Sequence, residues 1–186
     1  MAPSISIRLA CLQDVPALER LIPLSVRGLQ STVYSPEQIE AALGLVFAVD
    51  RQLIRDGTYY VVEQGGVVIA GGGWSRRRAV CGGDHLRGDA DESLDPAKEP
   101  GRVRAFFVHP EYARRGIGRA LLLTCENAMR DASFCEAILV ATLVGEPLYA
   151  SNGYVVLEHE SVPLSGGLAL PVVRMGRHLD GMELAT

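Results

Sequence analysis

No apolar run in this chain of 186 residues reaches the roughly 18 needed for a membrane-spanning helix. The opening residues, MAPSISIRLACLQD, lack the apolar core of a signal peptide. Together these absences lead to the expectation of a cytoplasmic protein without a membrane partner. Cysteine is scarce: Cys11, Cys81, Cys125 and Cys135 show no CxxC or CxxH spacing, so they read as reduced thiols, mostly core filler. Positive charge is not in excess. Lys and Arg number 18 against 22 Asp and Glu, and the net charge of −4 argues against nucleic acid as the main partner. There is no internal repeat and no GxxxxGK[ST] phosphate loop. What the chain does have is a hydrophobic content of 48%, enough for a sizeable core. Its length suggests one domain over residues 1–186.

The most informative stretch is VRAFFVHPEYARRGIGRALLLTCENAMR, from Val103 to Arg130. Ala105-Phe106-Phe107-Val108 reads as a strand buried on both faces, ended by Pro110, which can donate no ladder hydrogen bond. A basic glycine turn, Ala113 to Arg119, follows. A helix then places Leu121, Leu122, Cys125, Ala128 and Met129 on one face. Strand, glycine turn and helix together suit a phosphate. The first-turn N–H groups of a helix have no partner within it, and the helix dipole adds positive charge there. Gly116 and Gly118 would let an anion approach the backbone. Arg114, Arg115 and Arg119 supply planar donors. An ordinary tight turn with solvated arginines would read the same way. A Rossmann turn is excluded because its third glycine position is Leu121.

HPEYARRGIGRALL resembles the acetyl-CoA-binding segment of the GNAT superfamily, the acyl-CoA-dependent N-acyltransferases. That signature is Gln or Arg, two residues, Gly, any residue, then Gly or Ala. Gly116 and Gly118 match it. Ala113 stands at the first position and departs from it; Arg114 could make the missing contribution. Downstream, Leu148-Tyr149 followed by Gly153-Tyr154 is similar to the family's Leu-Tyr, three residues, Gly-Phe. The likeness is strong over 103–156 and weak elsewhere.

Ile5-Ser6-Ile7-Arg8-Leu9 alternates like a half-buried strand. Gln13 or Asp14 can cap a helix with Pro16 in its first turn and Leu18, Leu21 and Ile22 facing inward; Pro23 weakens its continuation. Ser35-Pro36-Glu37-Gln38 begins a second helix with a capping box, expected to run to about residue 48. Thr58–Glu63 and Val67–Ala70 form a hairpin about Gln64-Gly65-Gly66. The second strand ends in Gly71-Gly72-Gly73, which leave room for close approach, and Trp74, which could line a pocket or fill the core. Ala137–Leu143 is a further buried strand. A short helix with Gly153 in its left-handed cap, a strand from Val155 and a last strand over Val172–Met175 complete the chain.

Residues 76–101 read as a long loop. It carries Asp84, Asp89, Asp91, Glu92, Asp95 and Glu99. A metal site at Asp84-His85 with Asp89 and Asp91 lacks tight ligand spacing, so a solvated acidic loop that draws a cationic amine is the better reading, with no metal.

The resemblance implies an α/β (α+β type) GNAT fold, with a mixed, mostly antiparallel sheet of six to seven strands flanked by about four helices. It implies an acetyl-CoA-dependent N-acetyltransferase acting on a small-molecule or peptide amine in a ternary complex. A non-catalytic acyl-CoA-binding domain on the same fold is the alternative, and a homodimer is left open. The strand at 105–108 and that at 137–143 would splay apart, with Phe107 and Val108 pairing with the pantetheine arm. Arg114, Arg115, Gly116, Ile117, Gly118 and Arg119 would hold the pyrophosphate. Tyr149 would protonate the leaving thiolate, or only pack on the cofactor. Tyr34 would stand in the acceptor wall, with Trp74 a further acceptor-side candidate. No base is named: Glu99, His109 and a water chain all stay open.

Overall fold

Gly65 and Gly66, at φ of 59° and 79°, reverse the chain between β2 (Tyr59–Gln64) and β3 (Val67–Ser75). That hairpin begins a sheet completed by β1 (Ile5–Leu9), β4 (Gly101–Val108), β5 (Glu136–Thr142), β6 (Val155–Pro163) and β7 (Ala169–His178). The computed structural model describes residues 4–78 and 92–179. Their strands form one seven-stranded sheet in the order β1-β2-β3-β4-β5-β7-β6. Only β4 and β5 pair in parallel, so the sheet is mixed and mostly antiparallel, as expected. The helices are α1 (Val15–Gln30), α2 (Pro36–Ala42), α3 (Arg51–Arg55), α4 (Ile117–Asp131) and α5 (Glu146–Ala150). The short α3, capped by the Asp50 side chain on the Leu53 N–H, is the one the sequence did not announce.

The two sheet faces have separate cores. Leu18, Leu21, Ile22 and Val26 of α1, Ile39 of α2 and Leu53 of α3 pack with Val61, Phe107 and Leu170. On the other face Leu122, Cys125 and Met129 of α4 pack with Val103, Leu139 and Met175. Alternation along the strands explains the division, since neighbours such as Val103 and Arg104 point to opposite faces.

Four expectations need correction. Pro23, expected to weaken the continuation of α1, leaves it unbroken to Gln30. An interior proline costs about 3 kcal/mol. Burial of Leu18, Leu21, Ile22 and Val26, each at most 3% exposed, returns about 1.5–3 kcal/mol per side chain, so the helix persists. Next, α2 stops at Ala42 because Leu43 turns extended and Gly44 takes a φ of 81°. The N–H groups of Val46 and Phe47 then return to the Ala42 carbonyl. In addition, β1 is an edge strand with Ile5 and Leu9 exposed. Finally, Cys11 and Cys135 are exposed and Cys125 is buried, so of the described cysteines only Cys125 fills the core.

The start of α1 is tied to β1 by a bidentate pair, with Arg8 donating to Asp14 at 2.7 and 2.8 Å. The Arg8 hydrogen bonds, with help from the Cys11 N–H, hold the Asp14 carboxyl at about 2 against an ordinary 3.8. A lowered folded value means the stabilisation is complete above the unfolded pKa and is lost as pH falls through the folded one. Urea unfolding followed from about pH 4 down to about pH 2 should therefore show falling stability. Asp14→Asn should flatten that segment; equal slopes in both proteins would remove the claim.

Candidate active site

The site arises where two strands stop pairing. Residues of β4 and β5 pair at Gly101↔Ala137 and Arg102↔Ile138 and nowhere further. A bulge follows in β4, whose register against β3 jumps from Gly73↔Arg104 to Gly71↔Phe107. Bulges bend a strand and increase its twist. At this one Ala105 sits at a φ of 55°, and the buried Tyr59 hydroxyl donates to its carbonyl at 2.9 Å. Past the bulge β4 stays with β3, through Ala70↔Val108, while β5 stays with β7. A cleft of about 560 Å³ opens between them. The Val108 N–H donates to Ser25 Oγ from α1 at 3.1 Å, and both residues line the cleft.

One wall is the turn from Ala113 to Arg119. Arg114 and Gly116 adopt φ of 63° and 81°, and α4 begins immediately at Ile117. The Ile117 side chain is buried with Leu121, Val62 and Ile69. This pins the first turn of α4, whose free N–H groups and dipole end lie at the cleft. The two glycines serve different ends. A Cβ on Gly116 would meet nothing within 4 Å, so its backbone angle requires glycine; a Cβ on Gly118 would stand 3.1 Å from Leu148 of α5. Ala113, Arg114, Gly116, Ile117, Gly118 and Arg119 line the cleft. Arg115 stands apart, its guanidinium 5.3 Å from the Tyr112 ring centre.

The opposite wall is Val140–Thr142 with α5. Tyr149 lines the cleft from α5 and is 8% exposed. Its ring meets Phe106 edge-on at 6.3 Å and Tyr154 at 5.8 Å. Phe106 in turn lies over Gly72, where any Cβ would be 2.6 Å from its ring. The room left by the glycines of β3 is thus filled by side chains. Burial pushes the Tyr149 hydroxyl well above the usual phenol value of 10, so the group is protonated at neutral pH. Phe107 also lines the cleft, its ring against Phe47 at 6.3 Å.

Two candidates lie elsewhere. Trp74 is 2% exposed and packs on Phe134 at 5.8 Å; the register Trp74↔Val103 places it on the α4 face, as core. Tyr34 is 3% exposed; its hydroxyl donates to the Pro171 carbonyl at 2.6 Å and accepts from the Leu143 N–H at 2.9 Å. It is a strut and does not line the cleft. His109 caps the turn at Pro110–Tyr112, its Nδ1 accepting from the Glu111 N–H. Glu99 pairs with Arg78 at 3.1 Å.

The long connection is described only at its ends. Arg77 bridges Ser93, and Leu94 is buried beside Trp74. Glu92 and Glu99 pair with Arg78, and Asp95 with Lys98, so these acids have local cations. Asp84, His85, Asp89 and Asp91 lie outside the described residues, among which no three potential ligands gather for a metal.

Sequence reasoning missed one pair in the cleft. Asp50 and Arg104, 2% and 4% exposed in their side chains, form an ion pair at 3.2 Å, and both line the cleft just before the bulge. The available signal was an arginine inside an apolar strand; nothing local linked it to Asp50.

A parallel seam opened by a bulge is thus flanked by a glycine turn on one wall and a buried tyrosine on the other. Residues 55–156 match the family model described as an acetyltransferase (GNAT) domain, and the chain belongs to that family. The PaiA N-acetyltransferase of Thermoplasma acidophilum, solved in complex with coenzyme A, superposes with a TM-score of 0.65 at 18% identity, covering 94% of this chain and 99% of that one. A GCN5-related N-acetyltransferase from Rhodopseudomonas palustris gives 0.66 at 19% identity over 96% of both chains. The YncA protein of Salmonella typhimurium, with its cofactor acetyl-CoA, gives 0.63 at 19% over 98% of both. At these identities the likeness is one of fold. No curated protein matches the sequence.

Tyr34→Phe should leave the Leu143 N–H and the Pro171 carbonyl without their partner, at a cost of about 1–3 kcal/mol. Denaturant midpoints measure this. An unchanged midpoint would show that the hydroxyl holds nothing together.

Proposed function

We propose that this protein transfers an acetyl group from acetyl-CoA to a primary amine of a small molecule or peptide, by direct attack in a ternary complex. One observation carries the proposal: the β4–β5 seam opens into a cleft that leads from the first turn of α4 to the Tyr149 ring. Relatives solved with coenzyme A and acetyl-CoA share the fold. The residues present fit such a ligand. Gly116 and Gly118, with the N–H groups of Ile117 and Arg119, make an anion cradle at a helix N-terminus, and Arg114 and Arg119 add charge for the pyrophosphate. Along β4, Phe107 and Val108 border the cleft and offer backbone to a pantetheine amide. There the Ser25 hydroxyl, which now accepts the Val108 N–H, would yield or share it.

Holding thioester and amine together supplies much of the acceleration. The remaining need is a donor to the departing thiolate. Tyr149 is protonated and on the correct wall. A thiol has a pKa near 8.5 in water, below that of this buried phenol, so full proton transfer runs uphill and Tyr149 assists by a hydrogen bond that stabilises the departing thiolate.

Gly118→Val would push a branched side chain against Leu148 at the mouth of the cleft. Acetyl-CoA affinity, measured by calorimetry, should weaken by about tenfold or more, the equivalent of one lost charge-assisted contact. A folded variant with wild-type affinity would remove the cradle from this turn. Tyr149→Phe should lower kcat in a thiol-release assay by about 10²-fold and leave acetyl-CoA binding nearly intact. Because burial raises the Tyr149 pKa, wild-type kcat should show no alkaline loss from this group up to about pH 10. A Phe variant within a factor of about two of wild type, far short of acid–base help, would make Tyr149 a packing residue only.

A further inference from the structure

The joined end of the β4–β5 seam carries an arginine outside the cleft lining. Arg102 precedes the bulge and lies on the same face of β4 as Arg104, which lines the cleft. Through the register Arg102↔Ile138↔Gly176 and Val140↔Arg174, Arg102 shares that face with Arg174. The face is partly open there: Arg102, Ile138, Val140 and Arg174 are all intermediate in exposure. Gly176, opposite Ile138, adds no side chain, so two long guanidinium side chains on β4 and β7 can converge over Ile138. β5 separates the two strands, so β4 and β7 stand two spacings, about 10 Å, apart, a span that two arginine side chains reaching toward each other can close around one small anion.

The bonding state of these groups points the same way. The Arg102 side chain makes no hydrogen bond or ion pair among the described residues, and its Nε is buried without a partner. The Nε of Arg174 is likewise buried without one, although its Nη2 meets Glu160 at 2.5 Å. Arg104 and Arg78 are already matched with Asp50 and Glu99. Burial first, then Arg174, Arg78 and Arg104, push the Arg102 pKa below its ordinary value, and Glu99 opposes them. A buried donor left unmatched costs about 1–3 kcal/mol; an anion in this place would satisfy it.

We propose that Arg102, with Arg174 beside it, receives a carboxylate of the acceptor, so that the amine acetylated here belongs to a molecule that also carries an acid group. The anion is not a phosphate of CoA. Arg102 stands about 10 Å of strand before Ala105, at the end of the seam opposite the glycine turn. A carboxylate held there by a planar two-donor fork leaves the amine free to reach along β4 to the opening beside the bulge.

This inference rests on the acetyltransferase reading, and one experiment separates the two. Thiol release from acetyl-CoA is measured with amino acids, ω-amino acids and their carboxamides as matched acceptors. The acids should exceed their carboxamides in kcat/KM by at least about tenfold, as expected where a polar site loses its partner. Arg102→Gln should bring that ratio near one by slowing the acids alone, with acetyl-CoA affinity unchanged, and Arg102→Lys should restore part of it. Carboxamides that react as well as the acids, or an Arg102→Gln variant that slows both equally, would overturn the proposal and leave the transferase reading standing. Calorimetry of the same acids in the presence of CoA gives the complementary outcome. If no amine is acetylated but acids bind wild type and not Arg102→Gln, the transferase reading falls and the carboxylate site stands. If wild type neither acetylates nor binds any acid, both fall.

Discussion

Everything in the site depends on how briefly β4 and β5 pair. Two residue pairs join them, and then the bulge at Ala105, held by the Tyr59 hydroxyl, turns β4 away. A continuous parallel ladder would satisfy the backbone of both strands and leave no cleft. Parting leaves N–H and C=O groups facing a gap, which is costly in a core unless something pairs with them. Ser25 does this for Val108, and an extended ligand with amide groups can do it for the rest. The opening is thus both the defect in the sheet and its binding capacity.

Side chains around the opening are fixed from behind. Gly72 makes room for Phe106, and Phe106 braces Tyr149. On the far wall, the buried Ile117 sets the first turn of α4 beside the cleft, and the positive φ of Gly116 aims it. Gly118 lets α4 and α5 come close across the cleft. Rigid supports of this kind matter for acyl transfer, where much of the gain comes from holding two reactants in place.

Charge is placed as deliberately as shape. The Asp50–Arg104 pair sits almost wholly out of water at the bulge. Removing one partner of such a pair typically costs about 3–5 kcal/mol, because the other is left charged and buried. It therefore fixes the floor of the cleft. Arg102, on the same face, has no such partner, and that difference separates a structural arginine from one available to a ligand.

By itself the sequence determined what depends on near neighbours. The capping box at Ser35-Pro36-Glu37-Gln38, the Gly65-Gly66 reversal, the α4 amphipathic stripe and the glycine turn before it are all local chemistry, and all were legible. So were Gly116 and Tyr149 as residues of one cleft, through spacing that resembles the family. Element ends were less legible: α1 runs past Pro23 because burial outweighs the cost of the proline, and α2 stops early where Leu43 turns extended and Gly44 takes a positive φ. Only the tertiary structure decided the role of side chains whose partners are remote. Tyr34 became a strut because Pro171 and Leu143 happen to receive its hydroxyl. Trp74 became core because strand parity turns it toward α4. Asp50, the cap of α3, met Arg104 of β4 through packing of that helix on the sheet, and strand register set Arg102 and Arg174 on one face. Such pairings depend on which strands lie side by side, and no periodicity along the chain carries that information.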